Sequence, residues 1–286
     1  MTRAIDHLVI PSRDLSAQAD VYRRLGFQVG ARNRHPWGTE NHIVQFDGCF
    51  LELIALGEGF EPPEPQPGVF SFAGFVARFV ARREGLAMLV LRSDDAEADR
   101  QRFQADGIGD FARFDFARKA RRPDGGEVDV AFSLAFAASA ALPEAGFFVC
   151  QQRFPQNFWN RAAHIHPNGA KGIAGLAIAH EDPASVSDFL ARFLGAEPTA
   201  VAGGFGFDAQ GSLIECLTPA ALSTRWGVEP SAFAPRGLAA VRIAVGDLAA
   251  TQSLLAAAGL ACRRSGARLV VDPGQTRGVL ISFEAA

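Results

Sequence analysis

Two residues of this 286-residue chain combine reactive side chains with an informative position in an apolar pattern. His7 precedes the apolar run at residues 8–10, and Glu52 lies between Leu51 and Leu53. In a strand, Glu52 points away from its apolar neighbours, and a carboxylate that becomes buried needs a partner. An imidazole and a carboxylate can bind a divalent cation or move a proton. The alternatives are a hydrogen-bonded core histidine and a glutamate on a solvated sheet face.

Further polar residues lie where strand starts and turns are expected. Asn41 and His42 precede a predicted strand, where Asn41 could orient a ligand and His42 could act as a second base or ligand. His164 and His166 are two residues apart, so they face the same way if this segment is extended. They are either a pair of ligands or part of a rigid joint formed by the turn at 167–169, and the joint is favoured.

Composition and charge exclude several classes of function. The formal charge is −3 and the basic residues are scattered, so there is no basic surface that predicts nucleic-acid binding. The four cysteines are far apart, which argues against a zinc ribbon or disulfide scaffold and fits a reducing compartment. No apolar run reaches the roughly 18–20 residues that span a bilayer. We therefore expect a soluble cytoplasmic protein without a nucleic-acid or membrane partner.

The aromatic residues are strongly biased, with 24 Phe against one Tyr. Phenylalanine supplies apolar area without a polar group. Large cores explain this bias, and an apolar ligand cavity is the alternative. Trp37, Phe158 and Trp159 are expected at the mouth of such a cavity.

Four segments repeat one pattern, namely an apolar strand, an aspartate, an amphipathic helix and a glycine. The pairs are Asp14 and Gly26, Asp95 and Gly107, Asp182 and Gly195, and Asp247 and Gly259. Their separations are 12, 12, 13 and 12 residues. Aspartate accepts from free N–H groups at a helix start, and glycine closes the last turn in the left-handed conformation. Helices are therefore predicted to begin near these four aspartates.

After each glycine the apolar residues alternate, which predicts half-buried strands. In the first copy these strands cover 27–32, 42–46 and 49–56. Each copy thus forms a βαβββ unit, and the predicted class is α+β with curved mixed, mostly antiparallel sheets. The units pair into a first domain at 1–155 and a second at 170–286, with a joint at 156–169.

The segments DHLVIPSRDL, GTENHIVQF and HPNGAKGIAGLAI resemble glyoxalase-like domain proteins of the vicinal-oxygen-chelate superfamily. In that superfamily two βαβββ units form a curved sheet that half-encloses a pocket. Its members include glyoxalases, extradiol dioxygenases, epimerases and metal-free drug-sequestering proteins. The resemblance therefore implies a fold, and it implies a reaction only loosely.

The resemblance also implies a ligand set for a divalent metal such as Zn, Mn, Fe or Ni. His7 and Glu52 match the metal-ligand positions of the first unit. The matching positions of the second unit are Met88 and Cys150, which suit such an ion poorly. A bound ion needs about four ligands including water, so this chain supplies two convincing side chains.

The second domain matches the ligand positions with Gly175, Glu215, Ala240 and Ser282. One carboxylate cannot hold a catalytic ion, so we expect no metal there. The first domain is therefore predicted to contain the functional pocket.

The leading hypothesis is an enzyme of lyase, isomerase or dioxygenase type that acts on a small molecule with vicinal oxygens, with or without a metal. Glu52 or His42 would move the proton. The residues expected to contact the substrate are Asn41, Trp37, Cys150, Trp159 and His166. The alternative is a metal-free protein that sequesters a flat apolar molecule. A homodimer is a further expectation.

Overall fold

The computed structural model describes residues 2–121, 125–229 and 236–286. The strands of the first half are β1 (Ile5–Pro11), β2 (Asn33–Arg34), β3 (Thr39–Gln45), β4 (Phe50–Leu56), β5 (Met88–Arg92), β6 (Phe114–Arg121), β7 (Glu127–Ala137) and β8 (Gly146–Gln152). Those of the second half are β9 (Ala170–His180), β10 (Thr199–Val201), β11 (Gly204–Ala209), β12 (Ser212–Leu217), β13 (Arg236–Val245), β14 (Arg263–Ser265), β15 (Arg268–Val271) and β16 (Leu280–Ala285). The helices are α1 (Leu15–Arg24), α2 (Phe72–Arg82), α3 (Ala96–Ala105), α4 (Pro155–Phe158), α5 (Ala184–Leu194), α6 (Pro219–Trp226) and α7 (Leu248–Ala257).

The strands form two eight-stranded mixed sheets with the same topology. The first sheet has the order β2-β3-β4-β1-β5-β8-β7-β6, and the second has the order β10-β11-β12-β9-β13-β16-β15-β14. Within each unit the first and last strands are parallel neighbours, and β1 pairs with β5 in antiparallel orientation to join two units. β9 and β13 join the other two units in the same way. The predicted fold of four βαβββ units in mixed sheets is therefore confirmed.

The repeated aspartates and glycines lie at the starts and ends of the unit helices, as predicted from their capping chemistry. The Asp14, Asp95 and Asp247 carboxylates each accept from backbone N–H groups in the first turn of α1, α3 and α7. The four glycines that follow the unit helices all have φ between +66° and +82°, where a Cβ would be strained. Asp182 departs from the pattern, because Pro183 is the N-cap of α5 and no side chain caps this helix.

One predicted strand is wrong. Residues 27–32 lie outside the strands, and the ladder of the first unit begins only at β2. Phe27 instead packs against Phe46 and Phe283 in the core. Only a single backbone bond, from Gly30 N to Ile43 O at 2.9 Å, connects this stretch to β3. The apolar residue Phe27 is therefore buried as part of a loop. The alternation of apolar residues at 27–32 resembles that of a strand without forming one.

The two sheets share one core between them. Buried residues of the four unit helices and of both sheets form a single apolar cluster, in which Phe103 contacts Phe193 and Phe147 contacts Phe189. A second cluster covers the other face of the first sheet beneath α2, and a third covers the other face of the second sheet beneath α6. We call these two outer surfaces the α2 face and the α6 face.

Helix α2 was not predicted, although its sequence contains the signal. Ser71 accepts from Gly74 N as an N-cap, and Phe72, Phe75 and Phe79 recur at helical spacing. Their side chains are buried on the α2 face. The helix follows the proline-rich stretch at 57–68 and connects the first two units. In the described residues, no helix is long and apolar enough to cross a membrane.

The turn at 167–169 is a structural joint between the two halves. Asn168 Nδ2 donates to Leu25 O at 2.9 Å, at the end of α1, and its Oδ1 accepts from Ala170 N at 3.0 Å. Thr251 Oγ1, on α7, donates to Asn168 O at 2.9 Å. The side-chain amide and the backbone carbonyl of Asn168 thus connect helices from both halves.

We predict that Asn168→Ala lowers the free energy of unfolding by about 2 kcal/mol, because it leaves buried backbone groups without partners. Urea unfolding followed by circular dichroism measures this loss. The control is Gln104→Ala at an exposed position, which should change stability by less than about 0.5 kcal/mol. Equal, small effects of both variants would contradict the assigned role of the joint.

Candidate functional site

The α2 face of the first sheet contains a pocket of about 60 Å³ with aromatic walls. Strands β1, β3 and β4 form one side, and β6, β7 and β8 form the other. The loop between β2 and β3, α2 and α4 close over it. The lining residues are His7, His35, Trp37, Asn41, Ile43, Phe50, Glu52, Ile54, Phe72, Phe116, Arg118, Phe132, Leu134, Phe148, Cys150 and Phe158. We call this the inner pocket.

The edges of the curled sheet meet above the inner pocket. Trp37, in the loop before β3, contacts Phe116 of β6 with ring centroids 4.7 Å apart, and it also contacts Phe114 at 5.1 Å. His35 stacks on Trp37 at 4.5 Å. Because these rings come from opposite edges of the sheet, their contact encloses the pocket.

His7 is held in the inner pocket by a buried carboxylate. A register shift between Ile5 and His7 in the β1–β5 ladder places an extra residue, Asp6, in β1. Such a bulge redirects a side chain that simple alternation would send elsewhere. Asp6 Oδ1 lies 2.6 Å from His7 Nδ1, and Asp6 Oδ2 accepts from Gln152 Nε2 at 3.0 Å. His7 therefore donates from Nδ1 and presents Nε2 to the pocket.

Glu52 faces His7 across the pocket floor. Its Oε2 is 3.9 Å from His7 Nε2, which is too long for a hydrogen bond and leaves both atoms available to a third group. Its Oε1 accepts from Asn41 Nδ2, and Asn33 Nδ2 donates to Asn41 Oδ1 at 3.1 Å. The amide of Asn41 thus fixes one carboxylate oxygen and leaves the other directed at His7.

Burial changes the ionisation of two other lining groups, His35 and Cys150. It lowers the pKa of His35 below its ordinary 6.5, an effect that the charge of Glu52 opposes and that of Arg118 reinforces. His35 is therefore neutral at pH 7. Burial also raises the pKa of the Cys150 thiol well above 9, so this sulfur remains protonated. A protonated thiol is a poor nucleophile and a poor metal ligand.

Six of the residues singled out in the sequence line the inner pocket. They are His7, Trp37, Asn41, Glu52, Cys150 and Phe158. The register of β3 against β4 puts Asn41 and Ile43 on the pocket side, with Ile43 opposite Glu52. Whether these residues act on a substrate remains a prediction.

The structure does not bring His42 or His166 to the inner pocket. His42 lies on the opposite face of β3, where Nδ1 donates to Gly30 O at 2.7 Å. His166 accepts from Gln28 N at 3.0 Å and donates to Gln45 O at 2.9 Å. Both ring nitrogens of His166 are thus occupied by backbone groups at the joint. Strand alternation turns His42 away from the inner pocket, and the hydrogen bonds of the joint hold His166 outside it.

Trp159 lies outside the inner pocket, in contact with Phe158 at a centroid distance of 5.0 Å. It lines a neighbouring cavity of about 510 Å³, which we call the outer cavity. Arg118 and Phe158 line both spaces. Trp159 therefore lies beside the inner pocket and is not part of its lining.

Sequence reasoning missed Arg118 and His35 as pocket residues. Arg118 continues the alternation of Phe114 and Phe116 on β6, so this pattern is the signal that could have found it. His35 precedes Trp37, and its Nδ1 bonds Thr39 Oγ1 at 2.8 Å within a short hairpin. No periodic pattern marks a loop histidine of this kind.

The side chains present do not fit a divalent metal ion. Val9 and Val90 each lie five residues before their cap aspartates, and their parallel partners are Glu52 and Phe148. Phe148, rather than Cys150, thus occupies the position equivalent to Glu52, while Met88 is equivalent to His7. In the described residues, no group of three or more His, Cys, Asp or Glu side chains is arranged to hold a metal. His7 and Glu52 alone leave the ligand set incomplete.

In the second sheet the equivalent position is filled by ion pairs. Glu215, on β12, is 1% exposed and pairs with Arg225 of α6 and with Arg242 of β13. A Cβ on Gly175, the counterpart of His7, would lie 3.4 Å from Arg242 Cδ. Buried Trp226 covers the same α6 face. Arginine side chains and an indole therefore occupy the space that forms a pocket in the first sheet.

The fold and the inner pocket define a class of protein, in which paired βαβββ units enclose a pocket on a curled sheet. The chain belongs to the glyoxalase-like domain family, because the family profile described as "Glyoxalase-like domain" matches residues 5–194. The predicted family is thus confirmed. No curated protein matches the chain significantly in sequence.

Solved structures share the fold over the whole chain. A hypothetical protein from Staphylococcus aureus is 12% identical, with a TM-score of 0.68 and full coverage of both chains. A mutant of 4-hydroxymandelate synthase from Streptomyces coelicolor is 13% identical, with a TM-score of 0.62, and the match covers 94% of that chain. A xylose isomerase-like TIM barrel/4-hydroxyphenylpyruvate dioxygenase fusion protein is 14% identical, with a TM-score of 0.57, and 49% of it is covered. At these identities the likeness establishes the fold alone.

Proposed function

We propose that this protein is an enzyme of the lyase or isomerase type that moves a proton on a small, flat substrate with vicinal oxygen atoms. The observation that carries the proposal is the approach of His7 Nε2 and Glu52 Oε2 to 3.9 Å inside one aromatic-walled pocket. Proton transfer needs a base and an acid on opposite sides of one reacting group. The proposal rests on acid–base chemistry because the ligand set for a metal is incomplete.

The aromatic walls bind and orient the substrate. Phe50, Phe132 and Phe148 flank the pocket floor, and Trp37 with Phe116 closes it. Such walls bind the faces of a flat ring and exclude water from the reacting atoms. A substrate ring between them presents its oxygen-bearing carbons to the polar floor.

The polar floor then moves the proton. Glu52 Oε2 removes a proton from the carbon next to a carbonyl group, and the electron pair of that C–H bond moves onto the carbonyl oxygen. His7, whose Nδ1–H is directed at Asp6, accepts the proton of the substrate hydroxyl group at Nε2 and passes it to this oxygen, while Asp6 stabilises the imidazolium that forms in between. The oxygen that gave its proton to His7 becomes the new carbonyl oxygen as Glu52 returns its proton to the neighbouring carbon, which completes an isomerisation.

Hydrogen exchange tests the first step without knowledge of the full reaction. Aryl α-hydroxyketones incubated with the protein in D2O should exchange the proton next to the carbonyl faster than in buffer, as read by proton NMR. If the protein accelerates exchange in none of the compounds of such a panel, the proposal is contradicted.

We predict that Asp6→Asn lowers this exchange rate on the order of 10²-fold, because the imidazole loses the group that fixes its tautomer. Asp6 acts through His7 and is a positioning residue. Long-range proton–nitrogen spectra should show His7 changing from the Nδ1–H form to a mixture. An unchanged tautomer with slower exchange would point to a purely structural effect and contradict the prediction.

The alternative function is a metal-free protein that sequesters a flat apolar molecule, and the aromatic walls favour it. It predicts tight binding of aromatic ligands without any acceleration of exchange. Both functions predict that purified protein gains no thermal stability from Zn, Mn, Fe or Ni, since a bound ligand would raise the melting temperature. Exchange, rather than metal content, therefore separates them.

A further inference from the structure

Arg118 is the positively charged residue at the boundary between the inner pocket and the outer cavity. It lies on β6 opposite Val130, on the same side of the strand as Phe116. The Arg118 side chain therefore points to the same side of β6 as the Phe116 ring, one strand repeat further along. A ligand whose ring lies against Phe116 would carry its next group to Arg118.

The guanidinium lacks a negative partner within the part of the chain that the structure describes. No acidic side chain there forms an ion pair with it, and its one hydrogen bond runs from Nη1 to Lys119 O at 3.4 Å. Burial lowers the pKa of Arg118, and the charge of Glu52 opposes this shift without a direct contact. A half-buried cation of this kind is stabilised by an anion that enters the site.

The outer cavity supplies the room for such an anion. It lies next to the inner pocket, with which it shares Arg118 as a lining residue, and Asn33, Asn157 and Asn160 make its wall polar. A carboxylate placed here would be near Arg118, while the negative charge of Glu52 would keep it away from the pocket floor. The two charges therefore orient a ligand in one direction only.

We propose that the ligands of this site are small aromatic carboxylic acids, and that Arg118 determines this specificity by pairing with the carboxylate. The planar guanidinium fits the two oxygens of a carboxylate, and the aromatic walls fit the ring. This inference rests on the proposed function for the reacting end of the substrate. The recognition of the acid, however, can be tested separately from the reaction.

Matched pairs of acid and amide test the inference directly. Isothermal titration compares 3-phenylpropanoate with 3-phenylpropanamide, and benzoate with benzamide, at pH 7.5 and low salt. The wild type should bind each acid on the order of 10-fold more tightly than its amide, since hydrogen bonds to charged groups are the stronger ones. In Arg118→Met this preference should disappear, and Arg118→Lys should keep part of it.

Arg161 provides the matched control, because it lines the outer cavity but is exposed to solvent. Arg161→Met should change the preference by less than about 2-fold, since an exposed charge is screened by water and salt. Equal affinity of acid and amide for the wild type would overturn the inference, as would an undiminished preference in Arg118→Met. Absence of binding by both compounds would also count against it.

The two proposals fail in different ways. Exchange of a neutral aryl α-hydroxyketone depends on Glu52 and does not need a carboxylate. If the wild type exchanges this neutral probe and Arg118→Met loses the acid preference, both proposals are supported. If the wild type prefers acids but exchanges no probe, the enzyme proposal fails while the role of Arg118 stands.

Discussion

Replacement of Glu52 by glutamine is expected to lower the rate of substrate proton exchange on the order of 10³-fold. An amide has the shape of the carboxylate but cannot accept a proton from carbon. Asn41 can still hydrogen bond to the amide oxygen, so the pocket keeps its form. Exchange in D2O measures the loss, and binding of 3-phenylpropanoate should change far less than the rate.

Glu40 offers a matched control for this substitution. It is buried on the adjacent strand β3 and pairs with Arg32 and Arg34 on the side away from the inner pocket. Glu40→Gln should leave the exchange rate within about 2-fold of the wild type, because its oxygens do not meet the substrate. If Glu52→Gln keeps full exchange, Glu52 is not the base and the enzyme proposal loses its main support.

Loss of the Arg242 guanidinium should destabilise the second sheet by about 3 kcal/mol. Arg242 is 8% exposed and bridges Glu215 and Glu284 at 3.3 and 2.8 Å. Arg242→Met leaves Glu215 with Arg225 alone, and a buried carboxylate that loses a partner costs stability. Urea unfolding followed by circular dichroism measures the change.

Two further variants define the origin of this effect. Arg236→Met removes an exposed arginine of the same strand, paired with Glu181 at 3.4 Å, and should cost less than about 1 kcal/mol. The double variant Glu215→Leu/Arg242→Met should recover most of the loss, because an apolar pair can replace a buried ion pair. A double variant no more stable than Arg242→Met would contradict this explanation.

The same network makes part of the stability dependent on pH. Burial tends to raise the pKa of Glu284, but hydrogen bonds from Arg242 and Arg268 outweigh it and hold the pKa below 4.5. A carboxyl with a depressed pKa stabilises the fold above its unfolded value, and this stability is lost as the pH falls below about 4.5. In Arg242→Met this acid-dependent loss should become smaller.

Much of the fold could be predicted because its signals are local. An aspartate that accepts from the first turn and a glycine with positive φ act within one helix. Asp14 and Gly26 therefore mark the ends of α1 in the sequence as they do in the structure. Strand alternation likewise predicted a strand at 49–56, where the structure has β4 (Phe50–Leu56). The strand predicted at 27–32 failed because Phe27 is buried by residues far away in the sequence, including Phe283.

The sequence by itself therefore determined the four βαβββ units and their helix limits, and it singled out His7 and Glu52 as candidate site residues. Only the tertiary structure decided which polar groups meet. The β3–β4 register turned Asn41 towards Glu52 and His42 away, and the bulge at Asp6 aimed its carboxylate at His7. Alternation defines two faces of a strand but not which one encloses a pocket.

The order of the strands in the sheet decided which distant residues line the inner pocket. Curling brings β6 to the loop before β3, so Arg118 reaches a pocket whose floor is formed by residues more than sixty positions earlier. The second sheet has the same topology, yet Arg242 and Trp226 fill the equivalent space. Contacts between distant segments depend on the packing of the whole sheet, which no local pattern contains.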